Sequence, residues 1–316
     1  VDEAHSYKNC FVFTKLTRVA GVGKSSSQRA FDMLLKCQYL QEVNNGRGVV
    51  MATGTPISNS MSEMFVMQRY LQPQELRRLG LSMFDNWAAT YGEITTSLEI
   101  TPEGSGYRMR NRFAKFHNLP ELMASFKLVA DIQTADMLNL PTPEIMGGKP
   151  EIVAVEATAF QRKIMENFVV RAERIRSGEV KPYEDNMLKL TGEARLMAID
   201  PRLVYEDAPN DPGTKLNQCI RNIYDVWEET NEKRLTQLVF CDSGTPKPGK
   251  FNVYDEIKKC LTERGIPAAE IAFIHDAKSD TQRDALFEKV RSGEIRILIG
   301  STNKLGTGVN VQNRLY

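Results

Sequence analysis

Asp2 and Glu3 stand side by side with His5 two residues further on, in the run VDEAH at positions 1–5. Adjacent carboxylates repel unless they are separated, solvated or held by a positive charge, and a bound cation meets that need. Directly after a buried strand, such a pair suits a nucleotide-hydrolysing α/β fold. Asp2 would coordinate Mg²⁺ through water, and Glu3 would polarise the attacking water as general base. A second stretch, GSTNKLGTGVNVQ at 300–312, follows the apolar run IRILIG. Its hydroxyls, amides and three glycines, Gly306 and Gly308 among them, suit close approach to phosphates at the carboxyl end of a strand.

Other chemistry is excluded or set aside. GVGKSS at 21–26 imitates a phosphate-binding loop, but G-x-x-x-x-G-K-[ST] needs a glycine five residues before Gly23, and Arg18 stands there. The flanking residues show no strand, so the segment reads as a basic loop. His5, His117 and His275 lack metal-ligand spacing. The five cysteines are scattered without a C-x-x-C, which predicts free thiols in a reducing cytoplasm. A net charge of +1 gives no global attraction to nucleic acid, so such binding must rest on local patches. No apolar run approaches the roughly 20 residues that span a bilayer.

The elements that must position these residues follow from the patterning. At 316 residues the chain can build two domains. Val49–Ala52 predicts a short, fully buried strand that ends in the turn Thr53-Gly54-Thr55-Pro56. There Gly54 supplies backbone freedom, and Ser58, Asn59 or Ser60 caps a helix. A helix around Phe84–Tyr91 precedes a hairpin connected through Pro102–Gly106, with Arg108, Arg110 and Arg112 on one strand face and Met109 and Phe113 on the other. The arginines form either a solvated face or a phosphate-contacting ridge. LPTPEIMGGKP at 140–150 reads as a linker, EIVAVEAT as a strand, and Phe160–Ser177 as a helix closed by Gly178. From Lys215 onward, helices alternate with the strands LTQLVFCD, EIAFIH and IRILIGST, the pattern of a parallel α/β sheet.

In this order the motifs resemble those of the superfamily 2 helicases, and most of all the Swi/Snf-type branch of DNA-dependent ATPases. VDEAH followed by Lys8-Asn9, ATGTP followed by Ser58-Asn59, and the glycine-rich turn with Gly306, Gly308, Val309 and Asn310 carry the likeness. It covers residues 1–75 and about 150–316. The DNWAATYGE and RFAKFHNLPEL segments are similar to those of large methylase-helicase proteins of phages and conjugative elements, which implies a methyltransferase domain fused to the same polypeptide. The resemblance implies an α/β fold of two incomplete RecA-like parallel-sheet lobes. These occupy 1–75 and 150–316, with a mainly helical insertion and hairpin at 76–149. It further implies ATP and Mg²⁺ as cofactors and duplex DNA as partner. On this likeness His5 and Thr53, Gly54 and Thr55 relay the nucleotide state, and Thr302 touches a DNA phosphate. Gly308 and Asn310 face the nucleotide. Leu305 departs from the small residue common in that turn, and Arg283 matches an arginine that serves structure as readily as chemistry.

The family also requires a lysine-bearing phosphate cradle before the acidic motif and an arginine-bearing motif after the glycine-asparagine turn. Both are missing from these 316 residues, so the chain reads as an internal fragment, inactive by itself, of an ATP-dependent translocase. A non-catalytic DNA- or protein-binding module on the same scaffold, or an RNA helicase, is the alternative. The Asp2-Glu3 pair weighs against the first, and the Lys8-Asn9 and Ser58-Asn59 matches weigh against the second.

Overall fold

The structure, a computed structural model, describes residues 1–17, 19–22, 27–100, 107–138, 145–306 and 309–316. Helices and two small sheets with parallel pairing make up an α/β protein, as expected. The chain divides into two compact units, Val1–Glu144 and Ile145–Tyr316. The linker expected at 140–150 spans this boundary, and most of its first half lies outside the described residues.

In the first unit, residues 1–4 run parallel to residues 50–52. The Val1 amino group donates to the Val50 carbonyl (2.7 Å), Ala52 N to Val1 O (2.9 Å) and Ala4 N to Ala52 O (3.0 Å). Val49–Ala52 is therefore extended, but it is not the fully buried strand its composition predicts. Val49 and Met51 lean on the core while Val50 is 80% exposed, because no described residue covers the outer face. Strand β1 (Val19–Ala20) directly precedes Gly21, which corrects the expectation that no strand stands there. Its pairing with Asn111 and Arg112 is long-range, so local pattern could not reveal it. A Cβ on Gly21 would lie 2.5 Å from the Phe113 carbonyl, so only glycine lets the chain pass this close.

Helix α1 (Gln28–Val43) buries Ala30, Leu34, Cys37 and Gln41, residues spaced at three and four. The nearly all-round buried helix at the centre of this unit is α2 (Ser62–Leu71), which is followed by α3 (Pro73–Arg78) and α4 (Phe84–Tyr91). Strands β2 (Gly92–Ile100) and β3 (Tyr107–Phe116) form the expected hairpin, while its connection at 101–106 lies outside the described residues. Sheet order is β1-β3-β2. Helix α5 (Leu119–Lys127) completes the unit's main core. Helix α4, the base of the hairpin and α5 belong to this core: the rings of Phe65, Phe84, Trp87, Tyr91 and Phe113 meet at centroid distances of 5.4–6.5 Å. Buried amides tie the same parts together. The Trp87 indole N–H donates to Gln68 Oε1 (2.7 Å), Gln68 to Gln72 (2.9 Å) and Gln72 to the Ser125 carbonyl (3.2 Å). Each partner satisfies the next, so the polar chain adds specificity without an unpaired donor.

In the second unit, helix α6 (Ala159–Ser177) opens on a capping box at Thr158 and Gln161 and closes on Gly178 in the left-handed region, as predicted. EIVAVEAT before it is not a strand: Ile152 is 89% exposed, and among the described residues no strand pairs with it. After α7 (Met187–Ile199) and α8 (Lys215–Glu229), the expected alternation appears as β4 (Gln237–Phe240), α9 (Val253–Glu263), β5 (Ile271–Phe273), α10 (Asp280–Ser292) and β6 (Ile297–Gly300). All pairings are parallel, in the order β4-β6-β5, and the β6 residues are buried on both faces. Leu315 adds a parallel bridge to Thr236, next to β4. No helix among the described residues is long and apolar enough to cross a membrane.

Candidate functional site

The parallel run of residues 1–4 beside 50–52 ends with both segments turning at the same place. This brings the acidic motif against the threonine-glycine-threonine turn. His5 Nδ1 lies 3.0 Å from Thr53 Oγ1 and 3.1 Å from Glu3 Oε2. An ionised Glu3 can only accept, so Nδ1 carries the hydrogen in that contact and the imidazole bridges the two motifs. The Glu3 backbone is left-handed (φ 50°, ψ 43°), a conformation that costs a non-glycine residue about 1 kcal/mol. Asp2 Oδ1 accepts from Glu3 N (2.9 Å). Asp2 and Glu3 are both exposed, beside the buried Ala4.

Lys8 forms a second link. Its ammonium pairs with Glu63 at 3.2 Å, donates to the Ser58 hydroxyl, and lies 3.4 Å from the Thr55 carbonyl. Both charged side chains are close to 10% exposed, so the pair is largely shielded from water. Glu63 also accepts from Ser58 N (2.7 Å) and Asn59 N (3.3 Å), holding the turn at the start of α2. None of Ser58, Asn59 and Ser60 is the N-cap. Met61 is, with no side-chain cap, and Ser60 Oγ accepts from Ser62 N one residue inside the helix. Sequence reasoning missed Glu63. The available signal was a carboxylate in the first turn of a predicted helix, where it can hold free backbone N–H groups. Gly54 does not use the left-handed region, and a Cβ there would meet nothing within 4 Å. The fold therefore does not require this glycine, contrary to the expectation that it supplies backbone freedom.

The glycine-rich segment of the second unit opens as one helical turn, α11 (Thr302–Leu305). Thr302 donates from both N (2.7 Å) and Oγ1 (2.8 Å) to Asp242, two residues past β4. Arg283 Nη2 reaches the Lys304 carbonyl at 3.3 Å and Arg291 Nη1 the Asn310 carbonyl at 2.9 Å, so two arginines of α10 pin the turn on either side. Gly306 packs under Thr302, whose carbonyl a Cβ would meet at 2.5 Å. Leu305 is buried against Gly300 and the Ile274–Leu298 core, which explains a large residue there. Thr302 and Asn310 are exposed, and Gly308 lies outside the described residues.

On the hairpin, Arg108, Arg110 and Arg112 share one face, as predicted. Arg112 donates to Glu99 (2.6 Å), and Arg110 stands 3.8 Å from the same carboxylate. The Arg112 hydrogen bond is the main cause that holds Glu99 below the usual carboxylate range. No ion pair engages Arg108 among the described residues.

As to metal, no cluster of three or more His, Cys, Asp or Glu side chains is present among the described residues. A magnesium ion that keeps several waters and binds phosphate oxygens needs only one or two carboxylates, and the exposed Asp2 fits that role.

Residues 1–134 match a protein family described as a probable helicase domain. The chain is also 30% identical over 139 residues to the "Defense against restriction protein B" of Escherichia phage P1, a stretch that is 43% of this chain and 6% of that protein. The family match relates residues 1–134 to helicase domains. The family match also takes in residues beyond 76, among which Phe84, Trp87, Tyr91, Phe113 and Leu122 belong to the same core as Ala4.

Proposed function

We propose that this chain is part of an ATP-dependent DNA translocase of the Swi/Snf-type branch of superfamily 2. The observation that carries the reading is the double link between motifs: His5 to Thr53, and Lys8 to Ser58 and Glu63. An acidic pair poised for hydrolysis is thereby joined to a turn that can pass a change in its occupancy onward.

Asp2 would hold a hydrated Mg²⁺, which would supply positive charge to offset that of the ATP phosphates. Glu3, oriented through His5, takes the proton of the attacking water. Thr53 shares the His5 Nδ1 contact, so a movement of Glu3 on proton uptake reaches the Thr53–Thr55 turn and, through Lys8, Ser58. The resemblance gives Gly306, Gly308 and Asn310 as nucleotide contacts. Thr302 and the three hairpin arginines contact DNA, with Asp242 orienting Thr302. On this reading such a motor also uses a phosphate cradle and an arginine finger, and neither motif stands in these 316 residues. An absent arginine finger alone removes a factor of about 10³ to 10⁵ in rate.

The test compares the purified 316-residue chain with the full-length gene product. The chain alone is expected to hydrolyse ATP negligibly, and the full-length protein to be stimulated by duplex DNA more than by RNA. Turnover by the isolated chain at the rate of the intact protein, or stimulation by RNA alone, would contradict the proposal.

A further inference from the structure

The hairpin has a second face that the phosphate reading leaves unused. In the β2–β3 register, Ile94 pairs with Phe113, Thr96 with Asn111, Leu98 with Met109 and Ile100 with Tyr107. Directly paired residues of an antiparallel ribbon point to the same side. The Thr96–Asn111 hydrogen bond (2.9 Å) marks one face, and the Arg110 and Arg112 contacts to Glu99 mark the other. The first face starts in the core at Phe113 and runs outward through Leu98, Met109, Ile100 and Tyr107, four apolar side chains that are 62–69% exposed. Strand β1 flanks β3 only at Asn111 and Arg112, so beyond that point the hairpin is a two-stranded ribbon among the described residues.

A long, flat, apolar strand face left in water invites aggregation, and natural sheets charge or cover such faces. Here the charge lies on the opposite side. β2 and β3 together carry Arg108, Arg110, Arg112 and Lys115 against Glu93 and Glu99, a net charge of +2. A single partner that engages the whole ribbon would offer phosphates to one face and flat apolar surface to the other. Duplex DNA presents phosphates outward and hides the faces of its bases in the stack, whereas an unpaired strand presents both.

We propose that the β2–β3 hairpin binds single-stranded DNA, as found at a duplex junction, with Tyr107, Met109 and Leu98 against unpaired bases and the arginine face along the backbone. The inference rests on the reading of the arginines as phosphate contacts. Tyr107 supplies a stacking platform, and Met109 and Leu98 supply the flat apolar floor beside it. Glu99 holds Arg110 and Arg112 until phosphate competes for them.

The test uses the full 316-residue chain with fluorescein-labelled oligothymidylate and a blunt duplex of equal length, followed by anisotropy across a salt series. Leu98→Thr and the pair Tyr107→Thr with Met109→Thr keep strand propensity while removing apolar bulk, and circular dichroism checks the fold. Wild type is expected to bind the single strand more tightly than the duplex. The threonine variants should weaken single-strand binding about tenfold, the loss of one stacked base, with duplex affinity and salt slope unchanged. Replacing Arg108, Arg110 and Arg112 with Gln should flatten the slope for the single strand by roughly 0.7 per lost phosphate contact, and for the duplex by roughly 0.9. Equal loss on both DNAs, or no loss in the threonine variants, would overturn the base-contact inference while leaving the arginine reading intact. An unchanged salt slope in the arginine variant would overturn the arginine reading, and the inference with it.

Discussion

The Lys8–Glu63 pair joins two loops that lie about fifty residues apart in the chain. Glu63→Gln keeps an oxygen for the Ser58 and Asn59 amides but leaves Lys8 shielded and uncompensated, at a cost of about 3 kcal/mol. Adding Lys8→Met removes the stranded charge and should recover most of that loss in chemical denaturation; strictly additive losses would show that the pair is not coupled. The acidic and threonine motifs could be picked out in the sequence because they rest on residue type and local order, and the structure places them in contact through His5 and Thr53. The pairing of Lys8 with Glu63 could not, since it depends on how a turn folds back onto the first turn of α2. Glu3's left-handed backbone was equally invisible, because nothing in its side chain demands it.

Among the elements, periodicity identified what carries its own pattern. The capped helices α6 and α10, the hairpin and the alternating strands of the second unit lie where residue spacing placed them. Val49–Ala52 and EIVAVEAT did not become buried strands. An apolar run records the capacity to pair and be covered, while coverage depends on residues elsewhere. The α6–α7 pair offers a pH test at this scale. Arg171 donates to Asp185 (2.9 Å) and Glu193 (2.6 Å). The Arg171 hydrogen bond is the largest cause that lowers the Asp185 carboxyl from its ordinary value. A depressed carboxyl stabilises fully above its unfolded value, near 3.9, and that contribution fades as pH falls through the lower folded value. Asp185→Asn should therefore cost about 1 kcal/mol at pH 7 and little at pH 2, as read by thermal melts. A cost independent of pH would assign the loss to packing instead.

For the molecule as a whole, the α/β class was readable from the alternation of elements, and the helicase likeness of residues 1–134 from the acidic and threonine motifs. The membership of Phe84, Trp87, Tyr91 and Phe113 in the first core was not, because aromatic contacts such as Phe65–Phe84 and Phe84–Phe113 join segments whose local patterns are independent. The proposed function rests on Asp2 and Glu3 as the hydrolytic pair of a DNA-driven ATPase. Its most direct test is DNA-stimulated ATP hydrolysis by the full-length gene product carrying Glu3→Gln, with ATP binding measured alongside. Hydrolysis should fall by about 10² to 10⁴ while ATP binding is retained, the signature of a lost general base. A variant that turns over at the wild-type rate would contradict the account.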